Sequence, residues 1–303
     1  MQKQHILITG GSGLIGKCLT EELLKQGYTV SHLSRGEGKD SRVKTYQWNV
    51  DRGQIDENCL SGVDTIVHLA GAGIADKRWT KKRKKILIDS RTQSIALLYD
   101  LIKRKPNLVK NIISASATGY YSNRGDELLT EDSTPAKDFL GYCCTVWEQA
   151  VDAGKELNLR IVKLRTGVVL SRRGGALPPL ALPVKFGVGT ALGSGKQWIP
   201  WIHIQDAVDM YLHVLENNAI QGVFNMVAPN PVTNKQLTKA VAKQLRRPYW
   251  LPNVPAFILR ALLGEMSKVV LASTKVSADK IESTGFTFKY PLLADTLKQL
   301  YGK

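Results

Sequence analysis

Ile6-Leu7-Ile8-Thr9-Gly10-Gly11-Ser12-Gly13-Leu14-Ile15-Gly16 is an apolar run that breaks into a glycine turn and resumes as a helical pattern from Lys17 to Gln26. The arrangement predicts a buried strand, a tight turn and a helix start, the backbone shape that cradles a dinucleotide pyrophosphate. Gly10 is expected to make the turn, Gly13 to let the backbone approach the phosphates, and Gly16 to let the helix pack closely on the strand. Phosphates would then sit over the unpaired amides and positive dipole end of the helix. The turn follows His5-Ile6-Leu7-Ile8 directly, the context such a motif requires.

Outward from this motif, strand-like and helix-like stretches alternate, as βαβ units of a parallel sheet do. Strands are predicted at Tyr28 to Leu33, Val43 to Val50, Val63 to Gly71, Leu108 to Ala115 and Arg160 to Leu170. Helices are predicted over Lys81 to Lys103 and Phe139 to Leu157. The fourth strand ends in Leu69-Ala70-Gly71, at the sheet edge where ligands bind. Beyond residue 170, Gly174-Gly175, Pro178-Pro179 and the glycine-rich stretch 187–195 read as loops over a pocket. The expected fold is α/β, a doubly wound parallel sheet with a smaller, mostly helical C-terminal substrate lobe. Residues 1–170, completed by about 196–230, form the dinucleotide-binding domain; 171–195 and 231–303 form the lobe.

The 303 residues are 43% hydrophobic, enough for one large core and a small second one. No apolar stretch reaches the ~18 residues a membrane span needs, and the first apolar residues already belong to a strand. Neither membrane nor signal peptide is expected. Cys18, Cys59, Cys143 and Cys144 lack metal-like or disulfide-framework spacing, which suits reduced thiols in a cytoplasm. The net charge of +16 raises nucleic acid as a partner. Its densest run, Lys77 to Lys85, is followed by Ile86-Leu87-Ile88 and reads as a solvated helix face. Without a helix-turn-helix, zinc-finger or RNA-recognition signature, nucleic acid is not expected; a polyanionic cofactor or acidic substrate explains the charge as well.

The end of the second strand discriminates between the two nicotinamide dinucleotides. An acid about 20 residues after the glycines would bind the ribose 2′-hydroxyl of NAD. Here stand Ser34-Arg35, with no carboxylate before Glu37. A guanidinium suits a 2′-phosphate, since it pairs bidentately and stacks on adenine, and Lys39 adds charge. NADP(H) is therefore favoured over NAD(H).

The glycine motif, Leu69-Ala70-Gly71, Ser114 to Tyr120 and Trp201 to Asp206 together resemble the extended short-chain dehydrogenase/reductases. Arg78-Trp79-Thr80 with Ser90-Arg91, Trp147-Glu148, Gly193 to Trp198 and the segment Val254 to Phe286 narrow the likeness. They resemble the NAD(P)-dependent epimerase-family clade that carries a SulA-like label and a C-terminal domain of unknown function. The resemblance implies dinucleotide contacts from Gly10, Gly11, Ser12, Gly13, Leu14, Ile15, Gly16, Ser34, Arg35, Leu69, Ala70 and Gly71. It also turns Arg91 toward the cofactor phosphates; on the residues alone, Arg91 equally reads as a surface salt-bridging group.

That family uses a serine or threonine to hold a substrate carbonyl, a tyrosine to move the proton, and a lysine one helical turn on. The lysine lowers the tyrosine pKa toward the working pH. Ser116 falls at the serine position and Tyr142 at the tyrosine position, but the lysine position holds Val146. Lys155 lies 13 residues on, too far to substitute directly, and Lys137 reaches Tyr142 only if a loop folds back. His203 is a second candidate acid or base, set against a hydrogen-bonded structural role. Glu148 reads as a solvated or helix-pairing carboxylate. Two functions follow: an NADP(H)-dependent oxidoreductase or epimerase acting on a small molecule, or an NADPH-binding regulator without turnover.

Overall fold

The computed structural model describes residues 4–38 and 40–302. Ile6, Leu7 and Ile8 have no exposed surface, and their strand β1 (His5–Thr9) lies at the centre of an eight-stranded sheet. The remaining strands of that sheet are β2 (Thr29–Ser34), β3 (Lys44–Asn49), β4 (Gln54–Ile55), β5 (Thr65–His68) and β6 (Asn111–Ala117), then two later ones. After a two-residue strand β7 (Leu128–Leu129) come β8 (Arg160–Thr166) and, after four short strands, a last member at Gly222–Met226. From one edge to the other the order is Gly222–Met226, β8, β6, β5, β1, β2, β3, β4, and every pairing is parallel except β3 with β4. The order reverses direction between β1 and β5, which opens a crevice at their carboxyl ends.

Helices cover both faces, so the central strands read as near-continuous apolar runs. On one face α1 (Leu14–Lys25) packs through Leu19 and Leu23 beside Val208, Met210 and Val214 of the helix Ile204–Glu216. On the other, α2 (Lys81–Arg104) and α3 (Phe139–Asp152) bury Ile95, Leu98, Trp147 and Val151. The doubly wound, Rossmann-like sheet is as the alternation of patterns predicted.

Three predicted elements differ. The sixth strand breaks at Gly167, where a Cβ would stand 2.1 Å from the Pro200 carbonyl oxygen; beyond it, Val168–Ser171 leaves the main sheet to pair with Gly174–Gly175 and Trp201–His203. Gly174-Gly175 is thus a hairpin strand rather than a loop. Pro178-Pro179 also lies in structure: the pair sits in the first turn of the helix Leu177–Lys185, where a missing N–H is harmless. That helix, with Asn234–Gln244 and Leu293–Tyr301, encloses a second core around Leu177, Leu237, Val241 and Leu297. Among the described residues no helix is long and apolar enough to cross a membrane.

Candidate functional site

The crevice is floored by the glycine turn. Gly10 has φ +72°, and a Cβ there would meet the Leu69 carbonyl carbon and oxygen at 2.9 Å. A Cβ on Gly16 would stand 2.4 Å from the Gly10 oxygen, so this glycine lets the first turn of α1 fold onto the loop. Gly13 differs: its nearest neighbour would be the Gly10 oxygen at 3.2 Å, and otherwise it borders open space. It is the N-cap of α1, no side chain caps the helix, and its first turn holds no acid. Ser12 and Gly13 are exposed while Leu14 and Ile15 are half-buried. An uncapped helix end behind an unobstructed glycine is a ready-made place for an anion.

Gly11 has a reason the pattern did not supply. A Cβ there would run into the His32 ring at 2.5 Å. His32 lies 2.8 Å from Thr20 Oγ1, and burial holds its pKa below the usual value, so the ring beside the loop is neutral. Thr9 is a second unforeseen part: its hydroxyl accepts from the amides of both Leu69 and Ala70 at 3.1 Å, joining the ends of β1 and β5. Gly71 is exposed next to these.

At the end of β2, Ser34 accepts from Gly36 N at 3.4 Å. Arg35 is exposed, and among the described residues its side chain has no partner. Asp40 does not oppose it, because a bidentate contact with Arg42 (2.9 and 2.7 Å) holds that carboxyl down at about 2. Lys39 lies outside the described residues.

Arg91 is half-buried on α2. Its guanidinium donates to the carbonyls of Leu87 (2.7 Å) and Ala72 (3.0 Å) and covers the Trp147 ring at 4.9 Å. Among the described residues it forms no salt bridge, and it lines an inner chamber of about 250 Å³. Leu140, Cys143, Cys144 and Trp147 form that chamber's α3 wall, facing Trp198, Pro200 and Val269. Burial pushes both thiols up, Cys144 the further, so neither is a thiolate. An adjoining outer chamber of about 480 Å³ shares Ser122, Lys268 and Ala272 with it and adds Asp138, Arg260 and Glu265.

The structure does not bring Ser116 and Tyr142 together. Ser116 is buried and donates to Glu148 Oε1 at 2.6 Å. Tyr142 is 57% exposed, and among the described residues its hydroxyl has no partner. The α3 residues facing the chamber repeat at 140, 143, 144 and 147, a helical stripe that excludes 142 and 146. Lys155 pairs with Asp152 at 2.9 Å. His203 is structural in its contacts: Nδ1 caps Gln205 N, Nε2 meets Gln299 at 2.9 Å, and the ring lies against Tyr290.

Glu148 is not solvated. It is 6% exposed and bound by Arg165 through Nε (2.8 Å) and Nη2 (3.0 Å); Arg165 also donates to Tyr121 OH. The basic run 77–85 is likewise only partly a solvated face. Arg78 donates to the carbonyls of Ala261 and Leu262, Arg83 reaches the Gly73 carbonyl, and Lys84 pairs with Glu265. Arg78 and Lys84 thereby tie residues 261–265 to the start of α2.

Residues 6–226 match a family model described as the NAD dependent epimerase/dehydratase family, and 254–300 match a domain of unknown function, DUF1731. The chain belongs to the NAD dependent epimerase/dehydratase family. Within that family it is 38% identical over 299 residues to the epimerase family protein YfhF of Bacillus subtilis, covering 98% of this chain and 97% of that one. The human epimerase family protein SDR39U1 (isoform 2), solved with NADPH, superposes with a TM-score of 0.87 at 32% identity, covering 98% and 99%. A nucleoside-diphosphate sugar epimerase from Corynebacterium glutamicum gives 0.81 at 32% identity, over 99% of this chain and 58% of that one.

Proposed function

We propose that this epimerase-family chain is an NADP(H)-dependent oxidoreductase or epimerase acting on a small molecule held between the glycine-rich stretch 187–195 and the C-terminal lobe. The carrying observation is the pairing of an uncapped helix N-terminus behind Gly13 with an unopposed guanidinium on Arg35. The first fits a diphosphate bridge and the second a 2′-phosphate. Leu69, Ala70 and Gly71 would border the same ligand, with Arg91 setting the chamber wall beyond. NADPH in the human relative supports the same choice. When bound, the dinucleotide supplies or accepts a hydride; the chain's part is to orient it and to exclude water from the inner chamber.

Ser116 and Tyr142 carry no proton-transfer step in this reading, since Ser116 is engaged by Glu148 and Tyr142 faces outward. Four unpaired thiols suit a reducing compartment such as the cytoplasm. Calorimetry on dinucleotide-free protein tests the proposal: NADPH should bind at least ~10-fold more tightly than NADH, as a charge-assisted bidentate contact implies. Absence of heat from both would sink it.

A second reading, a dinucleotide-binding regulator without turnover, is favoured by one observation. The chamber wall of α3 presents Leu140, Cys143, Cys144 and Trp147, and no tyrosine–lysine pair. A screen of carbonyl compounds and sugar nucleotides that yields no NADPH oxidation would select it.

A further inference from the structure

We propose that the cleft takes an amphiphilic anion, a small molecule with an apolar ring-like body in the inner chamber and a carboxylate or phosphate in the outer one. The inference deepens the oxidoreductase reading by naming its substrate class, and it rests on that reading only for the identity of the cleft.

The outer chamber has two acids and two bases, but they are not equally free. Asp138 accepts from the amides of Leu140 and Gly141 at 3.1 Å and from Ser122 Oγ at 2.6 Å. Glu265 is paired with Lys84 at 2.5 Å. Both carboxylates are therefore committed within the protein. Arg260 and Lys268, on the lobe side, have no side-chain partner among the described residues. Two unneutralised cations on one chamber wall make a site for a negative group.

The inner chamber asks for the opposite chemistry. Leu140, Trp147, Trp198, Pro200 and Val269 wall it, and the Arg91 guanidinium beside them already donates to the Leu87 and Ala72 carbonyls. Two of its hydroxyls already donate elsewhere, Thr118 to the Thr166 carbonyl and Thr274 to the Ser122 carbonyl. A sugar ring would bring several hydroxyls to a wall that offers them few partners, and each one left unmet is costly. A flat apolar ring loses nothing there. Lys268 lines both chambers, so it stands where the charged end would meet the apolar body.

The probes are 2-naphthoate, 2-naphthyl phosphate, uncharged 2-naphthol and UDP-glucose, titrated calorimetrically into the full chain with and without NADP+. At least one naphthyl anion should bind ~10-fold or more tightly than naphthol, the effect of one charge-assisted contact, and more tightly than UDP-glucose. Comparing carboxylate with phosphate identifies the preferred anion. Arg260→Gln and Lys268→Gln should each remove most of the preference while leaving naphthol binding and the melting temperature unchanged. Equal binding of naphthol, retention of the preference in the double variant, tighter binding of UDP-glucose, or no binding of either anion at millimolar concentration would overturn the proposal. Failure of the dinucleotide reading would show separately, as absent NADPH binding beside intact anion binding.

Discussion

Ser116 Oγ donates a 2.6 Å hydrogen bond to Glu148 Oε1, the same oxygen that Arg165 Nε holds at 2.8 Å. One carboxylate therefore fastens the end of β6, the middle of α3 and the edge of β8. The position that short-chain dehydrogenases give to a substrate-holding hydroxyl is here part of the frame. Lys163 lies at 4.0 Å from the other oxygen, and its main partner is Asp152 at 2.6 Å.

Glu148→Gln should consequently act on stability. Breaking one partner of a buried pair leaves the other charge uncompensated, a loss of ~3–5 kcal/mol. Ser116→Ala removes one donor while the ion pair survives, and should cost ~1 kcal/mol. Urea unfolding measures both. Equal losses would mean that Arg165 does not depend on Glu148.

Gly13→Ala and Gly16→Ala separate binding from folding. The Gly16 Cβ would press on backbone at 2.4 Å, whereas the Gly13 Cβ has 3.2 Å to its nearest neighbour. Gly16→Ala should lower the melting temperature and dinucleotide affinity together. Gly13→Ala should melt within a few degrees of the parent yet weaken NADPH binding by ~10-fold or more, because the methyl occupies the phosphate approach. Normal affinity in a well-folded Gly13→Ala protein would remove the phosphate from this loop.

Arg35→Asp tests cofactor selectivity. Among the described residues the side chain has no partner, so its replacement should leave stability within ~0.5 kcal/mol of the parent. The new carboxylate repels a 2′-phosphate and accepts from a 2′-hydroxyl, so the ratio of NADPH to NADH affinity should fall at least ~10-fold or invert. An unchanged ratio would place the 2′-phosphate elsewhere.

Tyr142→Phe should be silent. An exposed hydroxyl without a partner among the described residues contributes little, so stability should change by less than ~0.5 kcal/mol. Any turnover later found with an authentic substrate should persist. A large selective fall in rate, at unchanged NADPH affinity, would return this tyrosine to the chemistry.

The sheet and the glycine turn were legible because they are local. Buried parallel strands announce themselves as apolar runs, Gly16 is required by the backbone of Gly10 and Gly11 just before it, and Gly10 by its left-handed φ of +72°. What failed to show were contacts made across the fold: Thr9 with Leu69 and Ala70, His32 under Gly11, Glu148 with Arg165. Glu148 and Arg165 lie 17 residues apart on different elements, and nothing local to either predicts a buried pair. The Tyr142 position illustrates a subtler limit. Counting to a tyrosine ignores helix phase, whereas the stripe at 140, 143, 144 and 147 was present in the sequence as an apolar repeat and pointed inward.

Acid should destabilise the protein through its histidines. All five have pKa values held below 6.5, with burial the largest cause in each. The extreme case is His68, clamped between Ser114 Oγ (3.0 Å) and Ser94 Oγ (2.8 Å). Its pKa is held at about 3 by burial, with the Arg91 charge acting in the same direction. A depressed folded-state value means that the native ring stays neutral while the unfolded one takes up a proton below 6.5. The stability held by neutral His68 is complete above that pH and is lost as pH falls toward 3, at up to ~1.4 kcal/mol per pH unit. Replacing it by Asn lowers stability at every pH, but it also removes one titrating proton. The slope of unfolding free energy between pH 6 and pH 4 should therefore be shallower in His68→Asn by as much as one proton's worth. An identical slope in variant and parent would show that His68 is already charged in the native fold.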